Sequence, residues 1–114
     1  MSDGWIGVDL DGTLAEYHVW DGGIGPPIKK MVDRVREWLA QGKEVRIVTA
    51  RVSRPPCRDL ANQINMILDW CVEHIGDELP ITCSKDFGMI ELWDDRVVAV
   101  ERNTGRRMSP GESE

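Results

Sequence analysis

"GWIGVDLDGTLAEY" (residues 4–17) decides how the rest of the chain is read. Within it "WIGVDL" (5–10) is a short apolar run ending in acid, the pattern of a strand buried in a sheet. Asp9 and Asp11 stand where the run ends, and Gly12 and Thr13 turn the chain at once. Burial alone gains nothing from two carboxylates there, because crowding and desolvating like charges costs free energy. Something held at that point must offset the repulsion.

Outward from this stretch, strands and helices alternate. Residues 12–27 form a long connection, rich in Gly and aromatics and closed by Pro26-Pro27. Ile28, Met31, Val32, Val35, Trp38 and Leu39 recur at three-and-four spacing, one face of a helix opened by Pro27 and stopped by Gly42. "EVRIVTA" (44–50) reads as a second strand and "RVSRPP" (51–56) as a loop leading into a helix. Leu60, Ile64, Ile67, Leu68, Cys71, Val72 and Ile75 mark that second helix, ended by Gly76. "PITCS" (80–84), "MIELWD" (89–94) and "VVAVE" (97–101) read as a third, fourth and fifth strand. Residues 1–102 are expected to form one domain and 103–114 a loose polar tail. The fold class expected is α/β: a three-layer, doubly wound, mostly parallel five-stranded sheet with helices on both faces.

In such sheets ligands bind beyond the carboxyl ends of the strands. That rule gathers Asp9, Asp11, Thr49, Asp94 and Asp95 on one rim, with Lys85 in the loop between the third and fourth strands. Each close carboxylate pair costs about 1 kcal/mol in water and about 4 kcal/mol at a protein's effective dielectric. A divalent cation reverses that sign. Oxygen-only ligands suit Mg²⁺, which takes one or two carboxylates, keeps several waters and commonly meets a phosphate. The Thr49 hydroxyl, the Lys85 charge and the backbone N–H groups exposed by the turn at Gly12 are the parts needed to hold a phosphoryl group.

Composition narrows the function classes. The 114 residues carry a net charge of −6, with 41% hydrophobic and 30% charged residues, the profile of a soluble globular domain. The acidic balance argues against broad contact with nucleic-acid backbone or acidic membrane, though it leaves room for a local basic pocket. No apolar run approaches membrane-spanning length, and the N-terminus lacks the layout of a signal peptide. Cys57, Cys71 and Cys83 are an odd set without a CxxC pair, as expected of reduced thiols in a cytoplasmic protein.

Four motifs then fall in order. "VDLDGTL" (8–14) contains DxDGT, Thr49 follows "RIV", Lys85 is a lone basic residue, and "WDDR" (93–96) sets an acidic pair after an apolar strand. Together, over residues 5–102, they resemble the haloacid dehalogenase-like (HAD) superfamily of phosphoryl-transfer enzymes. The resemblance implies a Mg²⁺-dependent phosphomonoester hydrolase with a Rossmann-like core. Asp9 would be the nucleophile that forms an aspartyl-phosphate, and Asp11 the general acid, then base. Gly12, Thr49 and Lys85 would bind the phosphoryl oxygens. The metal would sit on Asp9, the backbone carbonyl of Asp11 and one of Asp94 or Asp95, with Asp95 favoured because Asp94 stands where a common variant has glycine. The intervals are too short for the family's cap domains and leave only a flap, residues 13–27. An open rim would admit phosphorylated macromolecules, or small substrates if a neighbouring subunit in an oligomer covered it. "WDDR" also resembles the phosphatase domains of polynucleotide kinases, so a small molecule, a nucleotide and an oligonucleotide end all stand as substrates.

Tyr17, His18 and Trp20 lie on the flap, where aromatics suit substrate stacking, a subunit contact or packing onto the body. Arg51 and Arg54 are candidates for substrate contact or surface pairing. Trp38 and Trp70 fall on helix core faces, and His18 and His74 have no metal-ligand spacing. A response-regulator receiver, a signalling module also phosphorylated on Asp, is the reading from another class. Its acidic pair comes first and its phosphorylated Asp later, the reverse of the order here. A catalytically silent phosphate-binding domain is the other alternative.

Overall fold

A computed structural model describes residues 4–53 and 59–109; Arg54 and Cys57 lie outside the described residues. The first strand, β1 (Trp5–Asp9), is buried from Trp5 to Val8 and opens to solvent only at Asp9. It sits inside a parallel sheet with β2 (Glu44–Val48), β3 (Ile81–Thr82) and β4 (Met89–Trp93), in the order β3-β2-β1-β4. The register places Ile6 beside Val45 and Val8 beside Ile47, so β1 and β2 present a shared aliphatic face.

Two helices cover that face. Helix α1 (Lys29–Ala40) buries Met31, Val32 and Val35, and helix α2 (Leu60–His74) buries Ile67, Trp70 and Cys71, all within one core with Ile6, Val8, Val45 and Ile47. Gly42 ends α1 at φ +80°: its N–H donates to the Leu39 carbonyl and that of Lys43 to the Trp38 carbonyl. This is the left-handed helix stop that glycine adopts at least cost. Both helices lie on one face because the chain steps in the same direction from β1 to β2 to β3, and right-handed crossovers then place their helices on the same side.

The return from β3 to β4 runs through residues 83–88 without a helix. On that second face the Trp5 indole N–H donates to Asp86 (2.9 Å), and the Arg46 guanidinium stacks 4.4 Å from the Trp5 ring. Among the described residues the sheet therefore has four strands and one helical layer, where five strands and two layers were expected. Residues 97–101 fold back on the tail instead: Glu101 N–H donates to Arg106 and Met108 N–H to Ala99, and Val97, Val98 and Val100 stay exposed. No helix among the described residues is long and apolar enough to cross a membrane.

Candidate active site

At the carboxyl ends of β1, β2 and β4 a cavity of about 560 Å³ opens. Asp9, Asp11, Thr49, Asp94 and Asp95 line it together with Tyr17, Trp20 and Arg51. Carboxylate oxygens of Asp9, Asp94 and Asp95 converge within 4.8 Å of one another, an all-oxygen donor set that could hold a cation. The Asp9 carboxyl, half-buried at this point, is pushed up from 3.8 to about 7. Burial is the main cause, followed by the charge of Asp94, a hydrogen bond and charge from Asp95, and the charge of Asp11.

Local backbone chemistry brings these groups together. Past β1 the chain turns at Gly12, at φ +93°. A Cβ there would stand 2.6 Å from Asp95 Oδ2, so the missing side chain makes room for Asp95. The Thr13 hydroxyl donates to Asp95 Oδ1 (3.2 Å), and the Asp94 carboxylate accepts the Arg96 N–H (2.8 Å). Thr49, 3% exposed, caps the short 3₁₀ turn Ala50–Val52 by accepting the Arg51 N–H at 3.1 Å. That turn directs Arg51 back across the rim toward the end of β1.

Arg51 is the residue whose role sequence reasoning missed. Its Nε donates to Asp11 Oδ2 (2.7 Å) and its Nη2 to Asp11 Oδ1 (2.8 Å). The same guanidinium donates to the Gly23 carbonyl and to Gln63 Oε1, and lies 4.6 Å from the Trp20 ring centroid. It is thus an internal fastener between β1, the flap and α2, with a side chain only 3% exposed. Its signal was present in "TAR" (49–51): a cation just past a strand's carboxyl end, facing a rim already rich in acid.

The flap is anchored at its base. Gly12 N–H donates to Ala15, Glu16 N–H to Pro26 and Ile28 N–H to Leu14, while the Trp70 indole reaches the Gly25 carbonyl at 3.0 Å. His18 does not line the main cavity; it stands beside Glu16 (3.1 Å) in a smaller cavity of about 180 Å³, which Asp11 also lines. Lys85 is exposed on the 83–88 connection and does not line the main cavity; the cations that do are Arg51 and Arg96. Ser53 and Cys83 also line it, and neither was read from the sequence as a site residue.

No protein-family model and no curated protein matches this chain. Among solved structures it is similar to a conserved protein of Bacteroides thetaiotaomicron, with a TM-score of 0.61 at 20% identity over 85% of this chain and 79% of that one. At that identity the likeness shows the fold: an α/β arrangement on a parallel sheet.

Proposed function

We propose that this chain is a Mg²⁺-dependent phosphomonoester hydrolase of the HAD type, working through an aspartyl-phosphate on Asp9. The observation that carries the reading is the convergence of Asp9, Asp94 and Asp95 within 4.8 Å, in a cavity that Asp11 also lines. Three carboxylates this close are poorly stable alone, and an oxygen-preferring dication is the partner that suits them. Mg²⁺ held by Asp9, the Asp11 carbonyl and one of Asp94 or Asp95 would neutralise charge on the phosphoryl oxygens.

The residues then divide the chemistry. An oxygen of Asp9 attacks phosphorus, the ester P–O bond breaks, and Asp11, protonated on an oxygen released from Arg51, gives that proton to the leaving alcohol. Asp11 next takes a proton from water, which attacks the aspartyl-phosphate, releases phosphate and restores Asp9. The Thr49 hydroxyl accepts from the Arg51 N–H and keeps its own proton to donate to a phosphoryl oxygen. Arg96 supplies a cation at the cavity wall, a place the sequence had suggested for Lys85. The test is phosphate release from a panel of phosphomonoesters with Mg²⁺ and with excess chelator, for wild type and Asp9→Asn. Release that needs Mg²⁺ and disappears in Asp9→Asn supports the proposal; equal release in chelator refutes it.

A further inference from the structure

The cavity is far larger than a phosphoryl group needs, and two aromatic side chains stand in its lining. Tyr17 and Trp20 line it while remaining 44% and 55% exposed. Trp20 is not a loose surface side chain. The Arg51 guanidinium lies 4.6 Å from its ring centroid, and that guanidinium is itself fixed by Asp11 and by the Gly23 carbonyl. Packing of the flap onto the body therefore occupies one part of the indole and leaves more than half of the residue open. An aromatic surface held in place before a ligand arrives loses little conformational freedom on stacking. The fastener that holds it also holds Asp11, so the stacking surface and the reacting end share one anchor.

We propose that the substrate is a phosphomonoester whose alcohol carries a flat heteroaromatic ring, a nucleoside monophosphate, with the base against Trp20 and Tyr17 and the phosphate at Asp9. This rests on the phosphatase reading above. A cavity of about 560 Å³ lies within the size range of sites for whole small molecules. The net charge of −6 disfavours a long polyanion, so a free mononucleotide is favoured over a polynucleotide end.

The experiment compares kcat/KM, with Mg²⁺, for nucleoside 5′- and 3′-monophosphates, ribose 5-phosphate, glycerol phosphate, and short oligonucleotides phosphorylated at either end. Stacking on an aromatic side chain corresponds to a roughly 5- to 150-fold advantage for the base-bearing esters. That advantage shrinks toward unity in Trp20→Ala and falls in Tyr17→Ala, with folding of each variant checked by circular dichroism. As a second readout, Asp9→Asn binds a nucleoside monophosphate more tightly than ribose 5-phosphate in calorimetry. Equal use of ribose 5-phosphate and nucleotides by an active enzyme overturns the substrate assignment alone, as does a preference unchanged in Trp20→Ala. A strong preference for phosphorylated oligonucleotides replaces the free nucleotide by a strand end. Absence of phosphate release from every ester overturns the underlying phosphatase reading, and with it this one.

Discussion

Arg51 grips Asp11 through both carboxylate oxygens, at 2.7 and 2.8 Å, from a side chain almost closed to solvent. Both oxygens of Asp11 thus accept N–H bonds. A carboxyl that is to donate a proton to a leaving group needs one oxygen released from such a donor, and Arg51 is tied to the flap through Gly23 and Trp20. Stripping one partner from a buried ion pair is commonly worth 3–5 kcal/mol, so Arg51→Met is expected to cost about 3 kcal/mol in urea denaturation. In the double variant Arg51→Met/Asp11→Asn part of that loss returns, because no charge is left without its partner. Strictly additive losses would show that the pair contributes no coupling.

Gly12 and Asp95 give a second expectation. Ala at position 12 meets both an unfavourable φ of +93° and an Asp95 oxygen 2.6 Å from its Cβ. The backbone strain costs about 1–2 kcal/mol, and relieving the clash displaces Asp95. Gly12→Ala is therefore expected to fold and to bind Mg²⁺ at least tenfold more weakly, as followed by calorimetric titration. Wild-type Mg²⁺ affinity in this variant would remove Asp95 from the cation site.

These two relationships show what the sequence made legible. The rim was readable because parallel strands deliver their carboxyl ends to one side, so Asp9, Asp11, Thr49, Asp94 and Asp95 could be gathered without coordinates. The partnership of Arg51 with Asp11 was not, since it depends on the 3₁₀ turn that Thr49 caps. The extra strand at 97–101 failed for a local reason. β-branched residues suggested extended pairing, but Asn103 and Gly105 both take positive φ and close a turn that pairs 99–101 with 106–108. Alternation of strands and helices also led to the expectation of helices on both faces, although alternation alone does not fix which face each helix covers. That depends on the direction in which the sheet grows, and both steps here go the same way.

Metal-free protein should show the burial of Asp9 among other carboxylates as a pH dependence. Its carboxyl titrates near 3.8 unfolded and at about 7 folded, so the folded chain binds the proton more tightly. The associated stability is fully present below about pH 4 and is lost as pH rises through about 7. In chelator, thermal unfolding of the wild type is expected to fall between pH 5 and pH 8 more steeply than that of Asp9→Asn. Added Mg²⁺ should recover stability at pH 8 in the wild type. Identical pH profiles for the two proteins would contradict the raised Asp9 carboxyl, which burial and its acidic neighbours together produce.

On the opposite face, Asp86 ties the 83–88 connection to the sheet. Its Oδ1 accepts from the Trp5 indole at 2.9 Å and from the Gly88 N–H at 2.8 Å. The Trp5 hydrogen bond, followed by that of Gly88, holds the Asp86 carboxyl below its ordinary value. Asp86→Ala is expected to speed amide exchange at Gly88 and Met89 while leaving the α1 amides protected. Unchanged exchange at Gly88 would show that backbone packing alone fixes the loop.

The central claim is that Asp9 accepts a phosphoryl group, and mass spectrometry of acid-quenched protein tests it most directly. In Asp11→Asn, mixed with Mg²⁺ and a phosphomonoester bearing a good leaving group, Asp9 should still attack the phosphorus, but the base for hydrolysis is missing. General acid–base assistance is commonly worth about 10² to 10⁴ in rate, so the intermediate should accumulate. The account predicts a phosphoryl adduct mapped to Asp9, absent in chelator and absent from Asp9→Asn/Asp11→Asn. An adduct on another residue, or wild-type turnover with no adduct in Asp11→Asn at any time, would contradict it.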